Sequence, residues 1–552
     1  MQAECYPIST LPGTMKLFRD FAEGNADNAR LLRQWYPHEP FSMEWAKLAP
    51  EKRAPELGVE HRAQLGDALR AQVIEFGGED LALANVERLC NGAAAVVTGQ
   101  QVALFGGPLL TLLKAATAVR KAQDATKASG REHVPGFWLA TEDHDLAEVD
   151  QVALVTKQTV ETIKLDLRAD QPQPVGGIRV DDGSGALTAA LERASELLEW
   201  APVADWLREF YMAPDATLAS AFGKLLTRLF AKQGLVVMDA SSRAFHALGA
   251  SVLRAAIEHT EDLEAALIAR SEELVSAGYH AQVKVDAGMS LLFLISENEA
   301  GERVRTSLRR GANGEWRAGK QEFTTAELLA ILEREPERLS PNALLRAVFQ
   351  DAILPTAAYV GGPAEIAYCA QSAVVYEKIL RRVTPVLPRL SATLLEPAIA
   401  QTMAAHEVSL PQVFEAKTAE ELAVRLGARA MPIEGKRKIA AVGNAMDAEL
   451  TALTEYMSAM SADLGRAAEV SGNKMRYQMG RLRRMAAAFE AQKEASLMKH
   501  ARAIMLNVFP DGHLQERLLA GVGFVARHGD GLVELLVEHA GQECPGHRVI
   551  PL

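Results

Sequence analysis

The stretch from Ala93 to Val119 constrains this chain more than any other. Small and β-branched residues run from Ala93 to Thr98 and stop at Gly99-Gln100-Gln101. After Gly106-Gly107 the chain resumes as a helical pattern, with Leu109, Leu112, Leu113, Ala116 and Val119 on one face. Pro108 suits the first turn of that helix, where a missing N–H costs nothing. The grammar recurs twice. An apolar run from Gly136 to Thr141 ends in Glu142-Asp143-His144-Asp145, and Thr356 to Val360 ends in Gly361-Gly362 before a helix restarts at Pro363. Gly234 to Asp239 and Ser290 to Ile295 are further strand candidates. Strands alternating with amphipathic helices predict an α/β fold built on a parallel, doubly wound sheet. Such sheets hold ligands beyond the carboxyl ends of their strands, where all three breaks fall.

A chain of 552 residues exceeds what one core supports, so more than one structural unit is expected. Apolar residues make up 48% and charged residues 24%, as in a soluble globular protein. The net charge of -12 argues against a nucleic-acid partner, which calls for a basic surface. Lys436-Arg437-Lys438 and Arg481 to Arg484 lie in helical sequence and read as solvated faces. No window is apolar enough to span a bilayer and the first residues carry no export signal, so no membrane partner and a cytoplasmic location are expected. Cys5, Cys90, Cys369 and Cys544 are scattered, with neither metal-ligand spacing nor a disulfide framework, which fits a reducing compartment.

From about residue 415 the pattern changes to long helices. Ile439, Val442, Met446, Leu450, Leu453, Met457, Met460 and Leu464 step by threes and fours. So do Met475, Met479, Leu482, Ala486 and Phe489 after a break near Ser471-Gly472-Asn473, which predicts an antiparallel helical hairpin with an apolar seam. Beyond Pro510-Asp511-Gly512, helices are expected over Leu514 to Ala526 and Gly531 to His539.

The breaks carry the chemistry. Amides at Gly106-Gly107 and a helix N-terminus favour an anion, although a tight turn alone also calls for glycine. Gln100 and Gln101 suit a polar ligand or backbone capping. Glu142, Asp143 and Asp145 beside His144 suit acid–base work or Mg²⁺, while an Asp there also suits a helix N-cap. In extended chain, Asp143 and Asp145 would share one side and Glu142 and His144 the other. Glu365, in the first turn after Gly361-Gly362-Pro363, stabilises a helix dipole or meets an amine. The planar fork of Arg389 suits a carboxylate or a plain salt bridge. A metal-dependent hydrolase using residues 142–145 and a non-catalytic coiled-coil scaffold are the rival readings.

Thr98 to Gln101 with Leu104 to Pro108, Phe137 to Asp145, and Tyr359 to Tyr368 resemble the cysteine-adding enzymes of bacillithiol biosynthesis, the BshC family. Pro388-Arg389-Leu390-Ser391 and Leu514-Gln515-Glu516-Arg517 match in order, so the resemblance spans nearly the whole chain. Gly106, Ala364 and Cys369 stand where familiar members carry Thr, Gly and an aromatic. The resemblance implies a Rossmann-like core over 1–395 with inserted connecting segments near 160–230 and 245–340. It implies a coiled-coil domain over 396–510, a helical return over 511–552, and a homodimer. It also implies an ATP-using ligase that joins the carboxylate of L-cysteine to the amine of glucosaminyl-malate through an acyl-phosphate or acyl-adenylate. On that basis His144, Asp143 or Asp145 takes the amine proton. Thr98, Gln100, Gln101 and the amides of Gly106, Gly107, Gly361 and Gly362 surround substrate oxygens, Glu142 or Glu365 binds an ammonium, and Arg389 a carboxylate. Gln515 and Arg517 border the nucleotide, with no dedicated metal site beyond possible Mg²⁺.

Overall fold

The computed structural model describes residues 3–48, 57–169, 171–299, 301–311, 313–493 and 495–552. Its centre is a five-stranded parallel sheet. The strands are β1 (Ala94–Gln100), β2 (His133–Leu139), β3 (Val236–Asp239), β4 (Thr356–Gly361) and β5 (Val386–Pro388). In space they run β5-β4-β1-β2-β3, so the chain steps outward from β1 to β3 and then crosses back to the other side of β1. The order reverses between β1 and β4, which opens the crevice at the carboxyl ends of these two strands. Their ends are level, because Gln100 pairs with Leu139, Leu139 with Asp239, and Val360 with Thr98.

Alternation explains the double winding. Ala94 and Val96 pack with Ala118, Ala122 and Ala125 of helix α1 (Leu110–Ser129), while Ala95 and Val97 face the opposite layer with Trp138 and Met238. Helix α1 begins at Leu110, two residues past Pro108, which instead pairs with Ala520. Helix α2 (Pro363–Ile379) starts directly at its proline.

Between β2 and β3 the chain makes the hairpin Gln151–Val155 with Val160–Lys164 and the helices Ala186–Leu197, Pro202–Tyr211 and Leu218–Leu229. Between β3 and β4 it makes helices and a five-stranded antiparallel sheet that includes Met289–Glu297, Arg303–Arg310 and Leu339–Pro341. Ser290 to Ile295 is therefore a strand of this inserted sheet, outside the parallel one.

The helical hairpin is formed by α3 (Ile433–Met460) and α4 (Ala462–Lys493). The break falls at Ser461, which is extended at φ -163° and ψ 151°, and its hydroxyl caps Leu464. Ser471, Gly472 and Asn473 lie inside α4, where Gly472 is buried beside the Leu450 methyls. The apolar residues also split between two faces. Leu450 is buried against the partner helix, but Val442, Leu453, Met460, Leu464, Met475, Leu482 and Phe489 point to solvent. The helix expected over Leu514 to Ala526 divides into Gln515–Leu518 and Gly521–His528, because Leu519 and Ala520 extend to bridge Ala153 and Pro108.

Glu4–Tyr6, His547–Pro551 and Ser391–Leu395 form a three-stranded sheet, and Cys5 is bonded to Cys544 beside it. The pair closes no small loop, yet it is a disulfide where the scattered cysteines read as fitting a reducing compartment. A pairing across 539 residues leaves no spacing signal, and only Cys90 and Cys369 are free. No helix among the described residues is long and apolar enough to cross a membrane.

Candidate active site

A cavity of about 630 Å³ opens at the switch point between β1 and β4. That size suits a small-molecule ligand. The three breaks converge on it. Gln100 and Gln101 come from β1, Glu142, Asp143 and His144 from β2, and Gly362 to Glu365 from β4. Its roof is supplied by the inserted sheet through Met289, Phe293 and Arg305.

Lys114 holds the first and third breaks together. Its ammonium, 3% exposed, donates to the Gly99 carbonyl at 2.7 Å and Gln100 Oε1 at 2.9 Å and pairs with Glu365 Oε2. An ammonium has three N–H bonds, and these contacts use all of them. Burial lowers the Lys114 pKa against the pull of Glu365, while burial of Glu365 is outweighed by Lys114 and Arg346, which hold its carboxyl below the usual range. Glu365 also accepts from the Tyr359 hydroxyl and, at 2.8 Å, from the Gly362 amide. Its charge is therefore committed within the wall rather than free for an ammonium.

The second break turns at Thr141-Glu142, so its side chains do not alternate as they would in extended chain. Each finds a different partner. Glu142 Oε1 lies 3.0 Å from Nε2 of the fully buried His246, off the hydrogen-bond axis. Burial alone would lower the His246 pKa, and Glu142 more than reverses this. Asp143 Oδ2 accepts from Gln101 Nε2 at 2.6 Å. His144 Nδ1 lies 2.9 Å from Arg305 Nη1. Asp145 caps the short helix Leu146–Val149 through Glu148 N and stands outside the cavity. No group of three metal-ligating side chains occurs among the described residues.

Other expected residues lie behind the wall. Thr98 is buried and donates to the Val360 carbonyl at 2.8 Å. Gly106 and Gly107, at φ 84° and 69°, donate to Ala103 and Leu104 within their own turn and face Leu225 and Ala103, away from the cavity. Their glycines serve the dihedrals and the close packing. Gly361 sits in the β4 ladder, where its carbonyl accepts from Arg389 N at 3.0 Å.

Arg389 lines the cavity, yet its fork is bound to Glu516 at 2.7 and 3.0 Å. Gln515 is buried, bonded to Leu394 N, Leu394 O and Asn507 O, so its amide ties the strand Ser391–Leu395 to the preceding helix. Arg517 differs. It stands where the cavity meets a second one of about 420 Å³, and it has no ion pair among the described residues.

Lys114, His246, Arg305, Arg346 and Asn342 completed this site without a sequence motif. Lys114 carried a usable signal, since it is a lone charge among Leu112, Leu113, Ala115 and Ala116 on a helix read as apolar. Arg305 and Arg346 carried none. Trp138 and Asn342 also line the cavity, and their buried Nε1 and Nδ2 have no hydrogen-bond partner among the described residues.

This arrangement defines a Rossmann-like protein whose loops and inserted sheet enclose a cavity of mixed charge. The chain belongs to the BshC family. The model described as "Bacillithiol biosynthesis BshC, N-terminal Rossmann-like domain" matches residues 1–390, and "Bacillithiol biosynthesis BshC, C-terminal coiled-coil domain" matches residues 392–552. Relatives named "Putative cysteine ligase BshC" from Koribacter versatilis and Solibacter usitatus are 39% and 36% identical, each aligned over 100% of both chains. The relative of that name from Geobacillus kaustophilus is 28% identical over 89% of this chain and 90% of its own.

Proposed function

We propose that this protein joins L-cysteine to the amine of glucosaminyl-malate at the expense of ATP, the closing step of bacillithiol biosynthesis, in the cytoplasm. The observation that carries the reading is the mixed charge of the 630 Å³ cavity. Glu142 and Asp143 line it together with His144, Arg305, Arg346 and Arg517. Both substrates carry an amine and carboxylates, so each needs charges of both signs.

Activation of the cysteine carboxyl by ATP supplies the leaving group. The unpaired Arg517, between the two cavities, is the residue of this chain best placed for nucleotide phosphates. Mg²⁺ enters with those phosphates, since the carboxylates of residues 142–145 are taken by separate partners. That dispersal removes the support for a metal-dependent hydrolase. The exposed apolar stripe on α3 and α4 suits a second copy of the chain, giving a homodimer.

Purified protein supplied with L-cysteine, glucosaminyl-malate, ATP and Mg²⁺ is expected to form bacillithiol, read by mass spectrometry of the labelled thiol. Failure to form it under turnover conditions, with unchanged bacillithiol in cells lacking the gene, would refute the reading.

A further inference from the structure

The inserted antiparallel sheet does more than roof the cavity. Arg305 reaches from the strand Arg303–Arg310 and is held on four sides. Its Nε donates to Ser340 Oγ at 3.2 Å, Nη2 to the Pro341 carbonyl at 3.0 Å, and Nη1 approaches His144 Nδ1 at 2.9 Å. Its plane lies over the Phe293 ring, 3.7 Å from the centroid. A guanidinium has donors only and keeps its protons in proteins. Nδ1 of His144 must therefore be the acceptor in that contact, and the single ring proton sits on Nε2. An imidazolium would set two N–H groups head to head.

We infer that Arg305 is a positioning residue that fixes His144 as a neutral, Nε2-protonated hydrogen-bond donor, so that His144 binds a substrate oxygen and does not take the amine proton. Burial and Arg305 lower the His144 pKa, while Asp143 and Asp145 oppose them in part. Asp143 Oδ1 is 3.8 Å from Nδ1, too far to compete as its hydrogen-bond partner. Glu142 and Asp143 are the charged groups whose fields reach Arg305.

Applied to the ligase reading, on which this role rests, the amine nitrogen bonds to the activated acyl carbon and its proton passes to a carboxylate, Asp143 or Glu142. The acyl C–O bond then breaks as the phosphate-bearing group leaves. His144 Nε2–H meets the oxygen that carries negative charge between those events, and keeps its proton throughout.

Glutamine places an amide N–H near the Nε2 position but cannot accept a proton. His144→Ala is expected to lower kcat/KM about 100-fold, as loss of one such donor does, with H144Q staying within about tenfold of wild type. H144Q as inactive as H144A would overturn the donor role. Histidine ¹⁵N NMR, with His144 assigned by its absence in H144Q, is expected to show a pyridine-type Nδ1 and a pyrrole-type Nε2 at neutral pH. Arg305→Met should give mixed tautomers and return the ring toward its ordinary titration, and Arg305→Lys should restore the pattern in part. A protonated Nδ1 in wild type would overturn the inference. The NMR readout needs no turnover, so an inactive wild type with the expected tautomer would sink the ligase reading alone.

Discussion

Replacing Glu516 by Gln removes one charge from the most completely buried ion pair in the wall of the site. Glu516 accepts from both Nη atoms of Arg389, from Ala392 N at 2.8 Å and from Ser391 Oγ at 3.1 Å. Burial alone would raise its pKa, and the Arg389 guanidinium instead holds it down, from 4.5 to about 2. At about 1.4 kcal/mol per tenfold change, that preference amounts to about 3 kcal/mol. Breaking a buried pair from one side costs about 3–5 kcal/mol, because the other charge stays buried and uncompensated. With a melting entropy of about 2.1 cal/mol/K per residue across the whole chain, a loss of about 3 kcal/mol lowers Tm by about 3 °C. Because the folded pKa lies below the unfolded one, the stabilisation is complete above pH 4.5 and disappears as the pH falls toward 2. Scanning calorimetry and denaturant titration at neutral pH should show the loss, and the gap between wild type and E516Q should narrow in acid. Arg389→Met added to E516Q should recover most of it. A single-variant loss below about 1 kcal/mol, or a double variant no more stable than E516Q, would refute the reasoning.

His547 is a second source of acid lability. Burial lowers its pKa from 6.5 to about 4, so the unfolded chain binds a proton that the folded chain refuses, and stability should fall by about 3 kcal/mol as the pH drops through that window. Denaturant midpoints measured against pH should show the slope in wild type and lose it in His547→Gln; equal slopes would count against this cause. On the hairpin, Leu453 and Leu482 are 51% and 59% exposed, so L453E/L482E should convert a dimer to monomer by light scattering. An unchanged mass would place any association elsewhere.

Much of the site was legible because three breaks follow buried strands, and a parallel sheet forces the ends of neighbouring strands to one rim. What each side chain does there was less legible. Gly106-Gly107 reads as an anion cradle in isolation, but the inserted helix Leu218–Leu229 places Leu225 against it. Glu365 reads as open to an amine because its neutralising partner, Lys114, is 251 residues earlier, and a lone lysine on an apolar helix face does not say which carboxylate it meets. Arg305 sits in Arg303 to Arg310, where arginines recur with no mark on the one that turns inward. Pairings made across inserts leave no period to read. The break of the hairpin lies elsewhere for a related reason, since Ser471-Gly472-Asn473 resembles a turn but continues α4, with Gly472 buried beside Leu450 and its two neighbours exposed.

The three-stranded sheet sets an order of events during synthesis. Among the described residues, residues 4–6 pair only with residues 547–549, so at about 5–20 residues per second this edge waits roughly half a minute to two minutes on the ribosome for its neighbour. The middle strand that arrives last also flanks Ser391–Leu395 and brings His547 beneath Glu516. The wall of the cavity is thus sealed only once residues 547–549 have been made, and a nascent chain stalled before that point exposes a bare strand to quality control.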